Sequence, residues 1–180
     1  MPTTCVLGIG NVLMSDDGWG PRVANTFDTE YVVGSDVEVF DLGTPGLDLT
    51  PWLLDTAHVI LVDTVHADAP PGTIRVYDKR DLLRHRPRPR VGPHDPGLKE
   101  ALLGLEFAGR GPRVLTLIGV VPERLTQGLG LTPAVAQAIE PAVELIAAQL
   151  RRWGLPVQRR ITQPAFRKTG TIRQNPQVFG

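Results

Sequence analysis

The length, composition and charge of the chain are those of an ordinary globular protein. It has 180 residues, of which 42% are hydrophobic, a formal net charge of zero and one cysteine. This size and apolar content suffice to bury the core of one domain, and they exclude disordered, fibrous and membrane-embedded classes. No apolar run approaches the about 18 residues of a membrane span, and the N-terminus lacks a signal-peptide pattern, so we expect a cytoplasmic protein. Cys5 lies in the first apolar run, where a buried, unreactive thiol is expected.

The zero net charge hides an uneven distribution. Residues 1–150 hold 19 acidic and 12 basic residues, whereas residues 151–180 hold 7 basic residues and no acidic one. This division predicts a folded domain over residues 1–153 and a basic, flexible tail over residues 154–180. A second basic stretch with interleaved prolines, residues 79–90, is interpreted as an exposed loop. Neither segment has the interleaved aromatics or the recognisable module of a nucleic-acid-binding protein, so we expect no nucleic-acid partner.

Apolar runs alternate with segments of helical periodicity along the chain. The predicted strands cover residues 5–7, 37–40, 58–62, 72–77 and 114–121, and the predicted helices cover residues 22–27, 47–54, 98–105 and 133–150. Strand 72–77 alternates in polarity, which predicts an edge position. Thr132 is expected to cap the last helix, and Pro141 to kink it. This order predicts an α/β fold, a three-layer α/β/α sandwich with a mostly parallel sheet.

A glycine turn follows the first strand and carries two adjacent carboxylates, Asp16 and Asp17. It lacks the third glycine of a dinucleotide-binding turn, where Leu13 stands, and the Lys-Ser/Thr pair of a P-loop. Two negative charges would also repel a phosphate. The turn is therefore predicted to receive a cation or a positively charged group. Asp16 has a structural alternative, because an aspartate there could cap the helix that begins near Gly18.

Three polar residues stand at strand ends or turns that a parallel sheet would bring together: Asp17, Asp63 and His94. Two carboxylates and an imidazole form an incomplete ligand set for a borderline divalent metal, with positions left for ligands from a substrate. Each residue also has a structural explanation, since Asp63 could cap the next segment and His94 could be a turn residue between two prolines. Serine, cysteine and self-contained zinc peptidases are excluded, because their motifs are missing.

Short motifs in a fixed order extend over residues 4–153. They read GIGN (8–11), DDG (16–18), DLGTPG (41–46), VD (62–63), PH (93–94), GVVPE (119–123) and GLTP (130–133). Any one of them could arise by chance, but the ordered set resembles the maturation endopeptidases of NiFe hydrogenases. The resemblance implies a five-stranded α/β/α fold of the phosphorylase/hydrolase-like type.

The same resemblance implies an activity and a site. The activity is one cut that removes the C-terminal extension of the hydrogenase large-subunit precursor after nickel insertion. The family's metal-contacting residues correspond to Asp17, Asp63 and His94, and we interpret Asp17 or Asp63 as the general base of an aspartate-type, nickel-dependent hydrolase. Nickel would be held mainly by the substrate, so we expect no tightly bound metal or other cofactor in the protein, which is predicted to be a monomer. The alternative is a non-enzymatic metal- or nucleotide-binding module on the same fold.

Overall fold

The computed structural model describes residues 4–44, 49–84 and 96–160. The strands are β1 (Thr4–Ile9), β2 (Tyr31–Val33), β3 (Val37–Gly43), β4 (His58–Thr64), β5 (Ile74–Asp78), β6 (Val114–Val120) and β7 (Val157–Arg159). The helices are α1 (Trp19–Glu30), α2 (Thr50–Leu53), α3 (Lys79–Arg84), α4 (Pro96–Phe107), α5 (Pro133–Ala136) and α6 (Ile139–Arg152). Across these residues, none of the helices has the length and apolar character needed to cross a membrane.

Five strands form the central sheet in the order β3-β1-β4-β6-β5. All neighbours in it are parallel except β5, which pairs antiparallel with β6 at one edge. The predicted mostly parallel sheet and the predicted edge strand are therefore confirmed. The chain passes from β1 to β3 on one side and then to β4 on the other. Open α/β sheets bind ligands at such a reversal, outside the carboxyl ends of the strands.

Each face of the sheet is covered by helices, as the clearest central strand, β4, shows. Its Ile60 and Val62 belong to a core that includes residues of α1 and α6. Its Val59 and Leu61 belong to a second core, with residues of α2, α3 and α4. All four side chains are fully buried. Burial on both faces explains the uninterrupted apolar run in the sequence, and it confirms the three-layer sandwich.

The single helix predicted over residues 133–150 is divided into α5 and α6. Pro141 explains the division, because a proline ring collides with the carbonyl four residues earlier, here that of Gln137. The helix therefore stops before Gln137 and begins again at Ile139. Pro141 then lies in the first turn of α6, where a missing N–H costs no hydrogen bond. A break thus replaces the predicted kink.

Part of the basic stretch predicted as a loop forms α3. Asp81 N–H donates to the Asp78 carboxylate (2.8 Å) and Asp78 N–H donates to the Asp81 carboxylate (3.0 Å). This reciprocal pair starts the helix as a capping box does, and Leu82 anchors it in the second core. The rest of the stretch, residues 85–90, lies outside the described residues.

The segment predicted as a tail begins with ordered structure. Its β7 pairs antiparallel with β2 and forms a second, two-stranded sheet. Arg159 of β7 makes ion pairs with Glu30 (2.6 Å) and Glu144 (3.0 Å), and its guanidinium lies over the ring of Tyr31. Residues 161–180 lie outside the described part of the chain, so the flexibility of the tail stays a prediction.

Candidate active site

The start of α1 is seated directly on the carboxyl ends of β1 and β4. At Gly20, in the first turn of α1, a Cβ would stand 2.2 Å from the carbonyl oxygen of Ile9 and 2.4 Å from that of Val62. At Gly10 the backbone has a φ of +140°, and a Cβ would stand 1.8 Å from the carbonyl oxygen of Asp17. Only glycine permits these approaches. They hold Asp17, just before α1, above the ends of two central strands.

Thr64 connects the two aspartates that the sequence singled out. Its backbone N–H donates to Asp63 Oδ1 (2.7 Å), and its hydroxyl donates a long hydrogen bond to Asp17 Oδ1 (3.4 Å). The second oxygen of Asp17, Oδ2, accepts the N–H of Asn11 (2.9 Å). Asp63 and Thr64 are buried, while Asp17 is partly exposed. The structure therefore brings Asp17 and Asp63 together at the switch point, through a residue for which the sequence carried no signal.

The third predicted ligand, His94, lies outside the described residues, so its approach to the aspartates stays a prediction. In the described ranges, no group of three or more His, Cys, Asp or Glu side chains is arranged to hold a metal ion. Asp17 and Asp63 offer carboxylate oxygens, which are suitable ligands for a divalent metal.

The glycine turn is not built to hold a phosphate. The amides of Gly10, of Asn11 and of residues 13–17 donate hydrogen bonds within the protein. A phosphate-binding loop needs such amides free and pointing at the ligand. This agrees with the sequence, whose missing motifs already argued against a phosphate-binding loop here.

Asp16 does not cap a helix, contrary to the alternative raised by the sequence. Neither the 3-10 turn Ser15–Gly18 nor α1 has a side-chain cap hydrogen bond. Asp16 is instead fully buried, and it accepts hydrogen bonds from the backbone of Glu123, Arg124 and Thr132. Thr132 occupies the N-cap position of α5, as predicted, but its hydroxyl makes no cap bond to that helix and donates instead to Asp16 (3.0 Å). A buried carboxylate requires such donors, and they outcompete local capping.

The sequence profile of the hydrogenase maturation proteases matches residues 21–149 of the chain. The chain belongs to this family. It is 36% identical over 151 residues to the hydrogenase 2 maturation protease of Escherichia coli (strain K12), a match that covers 83% of the chain and 92% of that protein. It is 34% identical to the hydrogenase expression/formation protein HupD of Bradyrhizobium diazoefficiens, over 86% of the chain and 81% of that protein.

Structural comparison agrees with the sequence comparison. The fold matches the hydrogenase maturating endopeptidase HybD from E. coli with a TM-score of 0.80 and 35% identity, over 89% of the chain and 98% of that structure. The resemblance to hydrogenase maturation proteases is therefore confirmed, and with it the hydrolase class. Membership of this family speaks against a non-enzymatic binding module on the same fold.

Proposed function

We propose that this hydrogenase maturation protease removes the C-terminal extension of the hydrogenase large-subunit precursor after nickel has been inserted. The observation that carries the proposal is the pair of carboxylates, Asp17 and Asp63, joined through Thr64 at the switch point of the sheet. Family membership supplies the reaction class and the kind of substrate.

Nickel enters this proposal as part of the substrate, held by the precursor's own ligands. The carboxylates of Asp17 and Asp63 and the imidazole of His94 then supply further oxygen and nitrogen ligands, which suit nickel. An incomplete set on the protein makes docking depend on a metal already present in the precursor. Nickel can also polarise a carbonyl as a Lewis acid. Cleavage would in this way report that insertion is complete.

One of the two aspartates activates the attacking water as a general base. Asp17 is the better placed for this role, because it is partly exposed while Asp63 is only 5% exposed. The buried Asp63, oriented by the N–H of Thr64, is the better candidate for a fixed contact to the metal.

An apolar surface beside the carboxylates suits a polypeptide substrate. Val12 and Leu13 are 44% and 58% exposed on the loop that carries Asp17. Leu129, which follows Gly128, is 81% exposed. The N–H of Gly128 donates to the carbonyl of Leu13 (2.9 Å), so the backbones that carry Leu13 and Leu129 are adjacent. Exposed apolar groups next to a site are typical of surfaces that bind a partner.

The test is a cleavage assay on purified precursor, with and without nickel, read by the mass of the product. Asp17→Asn and Asp63→Asn keep the side-chain shape and remove the charge, and each is expected to slow cleavage by about 10² to 10⁴-fold. His94→Ala is expected to slow it as well. Asp68→Asn, at an exposed residue of the same type, is the matched control and should cleave normally.

Two results would contradict the proposal. Equal cleavage of nickel-loaded and nickel-free precursor would remove the role of nickel. Normal rates in both Asp17→Asn and Asp63→Asn would remove this site.

A further inference from the structure

We propose that Asp16 is the positioning residue of this site. Its buried carboxylate ties the loop that carries Asp17 to the segment 123–132, and in doing so sets where Asp17 lies. The inference rests on the proposed function, because it assigns to Asp16 a part in the same cleavage reaction.

Four hydrogen bonds converge on the Asp16 carboxylate from a segment more than a hundred residues away in sequence. Oδ2 accepts Glu123 N–H (2.9 Å), Arg124 N–H (2.8 Å) and the Thr132 hydroxyl (3.0 Å), and Oδ1 accepts Thr132 N–H (2.7 Å). Asp16 is 0% exposed. Hydrogen bonds to a charged group are the strong ones, and burial keeps water from competing for them.

Backbone contacts on both sides of Asp16 extend this connection. Ser15 N–H donates to Gly128 C=O (2.8 Å), Gly128 N–H donates to Leu13 C=O (2.9 Å), and Asp16 N–H donates to Arg124 C=O (3.1 Å). The hydroxyl of Ser15 donates to the carbonyl of Thr126 (2.9 Å). The loop before Asp17 is thus paired along its length with the segment 123–132.

The backbone at Ser15 shows that this pairing holds the loop in an unfavourable conformation. Ser15 has a φ of +52°, in the left-handed region that non-glycine residues rarely adopt. Such a conformation persists only where the surroundings over-determine it, and it is found preferentially at functional sites. In this arrangement Asp16 is buried and Asp17, the next residue, is partly exposed beside Asp63. Release of the Asp16 contacts would let the loop relax and move Asp17.

An asparagine cannot replace this carboxylate, although it has the same shape. With its oxygen at the Oδ2 position, its NH₂ group meets the N–H of Thr132. With its oxygen at the Oδ1 position, its NH₂ group meets the N–H groups of Glu123 and Arg124. Either orientation sets donor against donor in a buried place. If Asp16 merely capped a helix, asparagine would serve as well as aspartate, so Asp16→Asn distinguishes the two roles.

The experiment combines steady-state cleavage of nickel-loaded precursor with amide hydrogen exchange of the protein alone. For Asp16→Asn we expect kcat to fall by about 10²-fold, the effect of misplacing a reacting group by about 1 Å, with a smaller change in KM. The amides of Ser15 and Gly128 should exchange faster than in the wild type. A merely structural role would lower the thermal midpoint without changing kcat of the folded protein.

A matched pair at Thr132 keeps the test decisive if Asp16→Asn fails to fold. Thr132→Val removes the hydroxyl donor and is expected to lower kcat and to speed exchange at Ser15 and Gly128. Thr132→Ser retains the hydroxyl and should restore both. The exchange readout does not depend on cleavage, so inactivity of the wild-type protein would overturn the proposed function alone. Wild-type kcat in folded Asp16→Asn, or equal kcat in Thr132→Val and Thr132→Ser, would overturn the role of Asp16.

Discussion

Replacement of Gly20 by alanine should lift α1 off the ends of β1 and β4. The added Cβ would stand 2.2 Å from the carbonyl oxygen of Ile9 and 2.4 Å from that of Val62. Both are backbone atoms of central strands, which cannot rotate away as a flexible side chain can. Relief of these contacts requires α1 to move outward by about 1 Å.

The expected change in the free energy of unfolding for Gly20→Ala is the balance of two opposing effects. Alanine is favoured over glycine inside a helix by about 1 kcal/mol, and overpacking against a rigid core costs about 3 kcal/mol. The net loss is about 2 kcal/mol, which lowers the melting temperature of a chain of this size by about 4 to 8 °C. Because Asp17 precedes α1, a movement of about 1 Å should also reduce the cleavage rate by about 10²-fold.

The matched control is Gly104→Ala in α4. Gly104 is exposed, and no atom lies within 4 Å of the position that its Cβ would take. The same substitution should therefore raise the melting temperature by about 2 to 4 °C and leave cleavage unchanged. Thermal unfolding followed by circular dichroism and the cleavage assay measure both variants. If Gly20→Ala is stabilised as much as Gly104→Ala and cleaves normally, the close seating of α1 is refuted.

Two further predictions concern groups away from the site. The pKa of His58 is lowered by burial and by the nearby Arg113, so it is lower in the folded protein than in the unfolded protein. His58 therefore contributes stability that is present above its unfolded-state pKa and is lost as the pH falls through its folded-state pKa. His58→Phe, which keeps an aromatic ring against Trp153, should flatten the loss of stability below about pH 6.5, and an unchanged slope in urea unfolding would contradict this. Burial, with a smaller contribution from Glu38, raises the pKa of the Cys5 thiol to about 11. Iodoacetamide at about pH 8 should therefore label the unfolded protein and spare the folded protein. Rapid labelling of the native protein would show that strand β1 is accessible.

The elements predicted correctly are those whose signal is local. β4 and β6 read as apolar runs because both of their faces are covered, and β5 alternates in polarity at an edge. The capping pair of α3, Asp78 and Asp81, was also present in the sequence, but the basic residues around it favoured a loop. β4, β5 and β6 depend on burial and on contacts within a few residues, which a sequence pattern records.

Elements that depend on distant partners were not predictable in this way. β2 and β7 have three residues each, and they form a sheet because their backbones meet across more than a hundred residues of chain. Arg159 was interpreted as part of a solvated basic tail, yet it is surrounded by glutamates of α1 and α6. Charge patterning shows that a group is polar, and only the fold shows which group it meets.

The same distinction between local signals and distant partners applies to the candidate site. Motif order and strand-end position predicted that Asp17 and Asp63 lie near each other, because parallel strands bring their carboxyl ends to one edge of the sheet. The sequence singled out Asp17 as a ligand and left Asp16 as a possible helix cap, but it could not show the surroundings of either carboxylate. The tertiary structure decided that Asp16 is buried against Glu123, Arg124 and Thr132 while Asp17 is partly exposed. The environment of a carboxylate is determined by the donors that surround it, and here those donors come from the other end of the domain.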